Sequence, residues 1–216
     1  MCFDILFTNN TFGGAGMEYK QFTGKMSSKD YLKYALFSLL EVKSIFKITV
    51  KELCDRAMIN RSTFYANYDS LDSFYQQIMD EAARGLVVAV EGEKNPLAML
   101  KNKDIAVRRY TLWYTHVHDH ADEFRLLLGN NGTPAFRDLL LSQGLRWYTK
   151  LLQPISHRFQ GRVSIEILTR YIISAHLGLL EYYLDSKMKY SAEYMAEQML
   201  NITMAGPYSV LQLYES

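Results

Sequence analysis

Apolar residues recur three and four positions apart along almost the whole chain, and the polar residues between them mark where each run begins and ends. Leu32, Ala35, Leu36, Leu39 and Leu40 form one apolar face, preceded by Ser27 and Ser28 with Asp30 in capping position. This predicts a first helix from about residue 27 to 43. Phe74, Ile78, Ala82 and Leu86 follow the cap signal Asp69-Ser70 and predict a long helix ending near Val90, before the polar break EGEKNP. Further helices are expected over about 104–118, 121–128 (stopped by GNNG), 134–152, 164–186 and 191–205. Thr133 before Pro134 is a start signal, because proline suits the first helical position. Ser191 caps the last helix, Pro154 interrupts the chain after Leu152, and Gly206-Pro207 separates a short tail.

Between the first helix and the long one lies ITVKELCDRAMINRSTFYANY, residues 48–68. Thr49 and Glu52 have the spacing of a capping box, flanked by Ile48 and Leu53 as a hydrophobic staple. The signal repeats at once: Asn60 is a good N-cap, with Ile59 and Phe64 at staple spacing around it. Two short helices joined by a tight turn are therefore expected, the second from Arg61 to about Asn67. The total is nine helices and an all-α fold. Helix, short turn, helix lets one helix rest on the DNA backbone while the next enters the major groove. The second helix carries suitable chemistry. Arg61, Ser62 and Thr63 stand at its N-terminal end, where base edges are met, and Tyr65, Asn67 and Tyr68 can donate to phosphates. Phe64 points into the core. The competing reading is a surface helical hairpin in some other helical protein.

The block from Ile48 to Phe74 resembles the DNA-binding signature of the tetracycline-repressor (TetR) family of bacterial transcription regulators. That signature runs T-V-x-E-[IL]-A-x-x-A-G-[VI]-x-[RK]-x-T-[LF]-Y-x-[HY]-F-x-x-K-x-x-L. The chain supplies Thr49, Val50, Glu52, Leu53, Ala57, Ile59, Arg61, Thr63, Phe64, Tyr65 and Tyr68 at matching positions, then Phe74 for the leucine. The resemblance covers the N-terminal quarter of the chain. It implies a nine-helix fold with a three-helix DNA-binding head, here residues 27–75, and a regulatory and dimerisation body, 76–216. Contacts to DNA are expected from Thr49, Lys51, Asn60, Arg61, Ser62, Thr63, Tyr65, Asn67 and Tyr68. Three departures matter: Met58 replaces the turn glycine, Leu71 the lysine and Asn67 the His or Tyr. Each weakens the expected grip on the backbone.

Composition narrows the function classes. Hydrophobic residues make up 49% and charged residues 22%, with only four prolines and twelve glycines, an ordinary globular balance. A net charge of +1 does not mark the whole chain as a nucleic-acid binder. The head differs. Between Ser27 and Tyr68, seven basic residues (Lys29, Lys33, Lys43, Lys47, Lys51, Arg56, Arg61) face four acidic ones (Asp30, Glu41, Glu52, Asp55). Two cysteines, Cys2 and Cys54, form no disulfide framework and suit a reducing cytoplasm. Cys54 reads as a small buried hydrophobe. No stretch is apolar enough for a transmembrane helix, and residues 1–26 read as poorly structured or over-extended, with 1–16 partly an over-extended reading frame and a real N-terminal arm as the alternative.

In the body, His116, His118 and His120 are the chemical temptation, since His116 and His120 sit at i, i+4. Three histidines near a helix C-terminus also complement its dipole, and no other Cys/His cluster completes a metal site. No metal and no cofactor is expected. No nucleophile elbow, P-loop or dinucleotide fingerprint occurs, so an enzyme is not expected. Tyr110, Trp113, Tyr114, His116, Phe124, Trp147 and Tyr148 are candidates for an aromatic-lined ligand pocket; the family resemblance implies a small-molecule effector there. The helix around 164–186 is apolar nearly all round, as expected of one touching both its own core and a second subunit. Ile172, Ala175, Leu179, Tyr183, Met195 and Met199 are the interface candidates. RYIISAHLGLLEYYL and SAEYMAEQM resemble the body of a TetR branch that includes regulators of dihydroxyacetone metabolism, some of which act through a protein partner. The expectation is a cytoplasmic homodimeric regulator, a repressor of a palindromic operator in double-stranded DNA; the alternative is an adaptor with weak or no DNA binding.

Overall fold

The computed structural model describes residues 27–91, 98–158 and 163–206; the expectations for residues 1–26, for EGEKNP and for the tail after Gly206 lie outside these. All regular structure among the described residues is helical. Ten α-helices follow in order: α1 (Ser28–Leu40), α2 (Val50–Ala57), α3 (Arg61–Tyr65), α4 (Leu71–Glu91), α5 (Ala98–Lys101), α6 (Lys103–Asp119), α7 (Ala121–Leu128), α8 (Pro134–Leu152), α9 (Ile165–Asp185) and α10 (Ala192–Ala205). Short 3-10 turns occupy Ile45–Lys47 and Gln153–Arg158. The sequence pattern counts nine because α5, at four residues, is too short to show a periodicity.

Local chemistry explains most of the starts. Ser27 and Asp30 close a reciprocal capping box at α1, and Thr49 and Glu52 do the same at α2. Asn60, Ser164 and Ser191 accept from backbone amides of the first turns they precede. Ser70 and Ser73 bond reciprocally at the start of α4. Two boundaries and one cap differ from expectation. α1 stops at Leu40 rather than residue 43, because residues 45–47 turn to meet the body. α3 stops at Tyr65. Thr133 makes no capping bond; its hydroxyl faces the Met79 sulfur at 3.9 Å instead.

α1, α2 and α3 pack around Leu36, Leu40, Leu53 and Phe64, each with no exposure, and Phe74 of α4 closes this small core. α4 then runs on into the body, where it packs against α6 and α8. α6 lies against α10, and α8 against α9. One connected cluster of buried residues extends from Leu32 to Leu200, so head and body share a continuous interior. Cys54, 1% exposed, is part of that interior, as its sequence position implies.

Candidate functional site

The turn between α2 and α3 is closed by Met58, which adopts a left-handed conformation with φ 53° and ψ 38°. Its amide meets the carbonyl of Asp55, and the amide of Ile59 meets that of Cys54 at 3.0 Å. This is the geometry for which glycine is the unstrained residue. The methionine side chain is 74% exposed and packs on little that could compensate. The turn sets α3 on the surface with Phe64 buried beneath it and Tyr65 edge-on to the Phe64 ring, centroids 5.4 Å apart.

The nine DNA-contact candidates separate into two groups. Lys51, Arg61, Ser62, Thr63 and Tyr65 are exposed, and their side chains have no hydrogen-bond or ion-pair partner among the described residues. Their polar groups are turned outward with nothing among the described residues to satisfy them. The other four are occupied. Thr49 spends its hydroxyl on the amide and carboxylate of Glu52. Asn60 accepts from the Ser62 amide at 3.2 Å. Asn67 donates to the Thr63 carbonyl at 2.8 Å and so closes the end of α3. Tyr68 is half-buried, its ring against Phe64 and 4.7 Å from that of Phe74. Burial pushes its phenol pKa up. Their first task is to hold the motif together, which spacing alone could not distinguish from outward display.

Lys47 also belongs to the exposed basic surface and was missed by motif spacing. It lies in the 3-10 turn just before the α2 capping box, exposed and without a partner among the described residues. The other basic residues of this region are engaged: Lys43 pairs with Glu52, and Arg56 donates to Ser38 at 2.7 Å. The Lys43 ammonium and the Thr49 bonds hold the Glu52 carboxyl at about 2, so the capping box stays ionised across the neutral range. Leu71, where the signature has lysine, is half-buried and packs against the core.

In the body a cavity of about 70 Å³ opens between α4, α6, α8 and α9. Tyr110, Trp113, Trp147 and Tyr148 line it as expected, together with Leu86, Gly144, Ile173 and His176. Tyr114, His116 and Phe124 do not. Tyr114 is fully buried against Tyr183 and Met199, and Phe124 is buried against Phe136. His116 lies against His120, the rings tilted by 43° with centroids 4.6 Å apart, at a separate small hollow shared with Lys33, Glu81 and Glu123. A helix places residues four apart on one side, so α6 sends Tyr110 toward the cavity and His116 toward α4 and α7. His118 leaves the cluster altogether, its ring nitrogen 3.2 Å from the Tyr183 hydroxyl. No group of three or more potential metal ligands occurs among the described residues.

A hydrogen-bonded chain runs along the cavity wall. The hydroxyls of Tyr110 and Tyr148 are 2.6 Å apart, Tyr148 is 2.8 Å from His176 Nδ1, and His176 Nε2 is 2.9 Å from Thr203 Oγ1. Burial lowers the His176 pKa to about 4 and raises that of Tyr110 to about 12. His176 was not among the sequence candidates. It reads as a lone histidine in an apolar run, and only its tertiary neighbours reveal the chain.

The interface candidates also divide. Tyr183, Met195 and Met199 are at most 3% exposed and belong to the core between α9, α10 and α6. Ala175 is exposed and Ile172 half-buried on the outer side of α9, while Leu179 is half-buried and also packs against the core. Around them Ile167, Tyr171, Gly178 and Tyr182 are exposed, so the outer face of α9 is an apolar stripe with small residues at its middle.

Residues 111–205 match a family described as transcriptional regulator C-terminal region. Among solved structures, the dihydroxyacetone kinase operon activator DhaS aligns with TM-score 0.55 and 14% identity, covering 88% of this chain and 98% of that one. The fatty acid degradation regulator FadR from Bacillus halodurans aligns with TM-score 0.59 and 11% identity over 85% and 98%. A protein of Shewanella sp. PV-4 described as a TetR-family transcription regulator gives 0.59 and 11% over 83% and 97%. Among curated proteins, none matches the sequence significantly.

Proposed function

We infer that this chain, a TetR-type transcriptional regulator in its fold and its C-terminal region, is a sequence-specific DNA-binding repressor. It works as a homodimer on a palindromic operator and is released by a small molecule bound in the body cavity. The observation that carries the reading is the outward group on the head. Arg61, Ser62 and Thr63 at the start of α3, with Lys51 and Tyr65 beside them, are exposed and unpartnered among the described residues. Arg61 and Thr63 would read base edges, while Lys51, Tyr65 and Lys47 would meet phosphates. A protein partner is the alternative use of such a surface, but polar groups at a helix start, flanked by lysines, suit a polyanion better. The apolar stripe on α9 would be covered by the same stripe of a second copy, as a two-fold interface requires. No described helix is long and apolar enough to cross a membrane, and we place the protein in the cytoplasm with the DNA it would read. The regulatory role leaves no enzymatic step to assign.

The test is binding to the DNA flanking its own gene against random DNA, over a salt series. A specific, steeply salt-dependent complex is expected. Arg61→Ala should reduce the operator-to-random affinity ratio at least tenfold, about the worth of one bidentate base contact. Lys51→Ala should weaken both complexes alike and flatten the salt slope by about one. No specific complex, in wild type or any variant, would overturn the DNA reading and favour an adaptor acting through a protein.

A further inference from the structure

We propose that the body cavity takes a small, uncharged, mostly apolar molecule that donates a hydrogen bond, such as a phenol or an alcohol, and refuses carboxylates. This rests on the reading of the cavity as the effector site. What carries it is the direction of the hydrogen-bonded chain in its wall. Thr203 Oγ1 lies 2.7 Å from the Met199 carbonyl, which can only accept, so the single hydroxyl proton of Thr203 goes there. The contact between His176 Nε2 and Thr203 Oγ1 at 2.9 Å must then be donated by the imidazole. A neutral ring with its proton on Nε2 leaves Nδ1 as an acceptor, so Tyr148 donates to it at 2.8 Å. The Tyr148 oxygen consequently accepts from Tyr110 at 2.6 Å. Every proton in the chain is thus passed from Tyr110 toward Thr203.

The chain therefore ends on the Tyr110 oxygen, on a residue that lines the cavity, with accepting capacity and no proton to give. No other donor among the described residues reaches it. A ligand at this oxygen has to bring its own donor. Two further features narrow the class. None of the residues lining the cavity is Lys, Arg, Asp or Glu, so a carboxylate would be desolvated there without a counter-charge. The other polar groups of the lining are uncharged as well: the Gln143 amide, the His176 ring and the indole N–H groups of Trp113 and Trp147. Aromatic rings of Trp113, Trp147, Tyr110 and Tyr148 make much of the wall, and at about 70 Å³, less than the roughly 150 Å³ that encloses a benzene ring, the cavity limits the ligand to a small molecule that it encloses only in part.

Calorimetry on the full chain without DNA, using phenol, toluene and benzoate as probes, separates the cases. Phenol is expected to bind at least tenfold tighter than toluene, its near-isostere without a donor, and benzoate to show no binding. Tyr110→Phe should shrink the phenol–toluene ratio at least fivefold while leaving toluene affinity within twofold. The imidazole nitrogen shifts of His176 in 15N NMR read the chain's direction without any ligand or variant, and the Nε2-protonated neutral ring is expected. A ring protonated on Nδ1, toluene or benzoate binding as tightly as phenol, a ratio unchanged in Tyr110→Phe, or no binding of any probe at millimolar concentration each overturns the proposal. Release of operator DNA is measured separately. Phenol binding without release would sink the effector reading and leave the ligand class standing.

Discussion

Asn131 donates its side-chain amide to the carbonyl of Leu40 at 2.8 Å, across the boundary between the body and the head. Its own carbonyl accepts from the Ile45 amide at 2.9 Å. One residue in the loop between α7 and α8 thus satisfies the end of α1 and fixes the turn that leads into α2. Gly132 beside it has no room for a side chain: a Cβ would lie 2.4 Å from the Leu127 carbonyl oxygen. The loop between α7 and α8 is therefore joined to the segment leading into α2 by two hydrogen bonds, in addition to the continuity that α4 provides.

Asn131→Ala removes the bond to Leu40 and keeps the one to Ile45. A loss of about 1 kcal/mol is expected, a fall in Tm of about 2–4 °C for a chain of this size. Hydrogen exchange should quicken at residues 41–47 and stay unchanged in α9 and α10. Equal protection at 41–47 in variant and wild type would show that the clamp does not hold the head.

Met58 gives a prediction of opposite sign. A left-handed residue with a Cβ carries strain of about 1–2 kcal/mol, and the exposed methionine has little packing to lose. Glycine relieves the strain and gives part back through the freedom of the unfolded chain. Met58→Gly should stabilise the protein by about 0.5–1 kcal/mol, read as a higher midpoint in denaturant with the same slope. A lower midpoint would mean that the methionine side chain contributes packing not evident from its exposure.

The helix starts were legible in the sequence because caps act over three residues. Ser27, Thr49, Asn60, Ser164 and Ser191 all cap as their spacing implies. Asn102 caps α6 through two amides but stands in a polar run where nothing singles it out. The side of a helix that faces the core was less legible where the helix is apolar all round. On α9 and α10 the pattern could not separate Tyr183, Met195 and Met199, which are interior, from Ala175 and Leu179. The His176 chain was invisible because each of its links joins residues at least 27 apart.

His176 also sets a pH dependence. Burial depresses its pKa from the ordinary 6.5 to about 4, so between those values the unfolded chain binds the proton that the folded one refuses. Stability contributed by the neutral ring is present above pH 6.5 and is lost as pH falls toward 4, by about 3 kcal/mol in all. In His176→Gln, which keeps a donor and an acceptor without titrating, the fall in stability between pH 6.5 and 4 should be shallower than in wild type by that order. Identical slopes would mean that the ring is protonated in the folded protein or reached by water.

The last prediction concerns the outer face of α9. Ile167 and Tyr171 are 66% and 55% exposed, Tyr182 is 49% exposed, and a Cβ at Gly178 would meet nothing within 4 Å. Space around Gly178 means that a large side chain there costs the single chain nothing in packing and replaces a helix-weakening glycine. In a two-fold pair the same position would lie where two α9 helices approach closely, and a charge on each copy would meet its own kind without water. Gly178→Arg should therefore leave the helical signal and the single-chain Tm intact or raised, while light scattering at micromolar concentration moves from dimer to monomer. Operator affinity should fall with it, since two half-sites can no longer be engaged together. A variant that remains dimeric would remove the outer face of α9 from the interface, and a wild type that is monomeric at micromolar concentration would remove the homodimer itself.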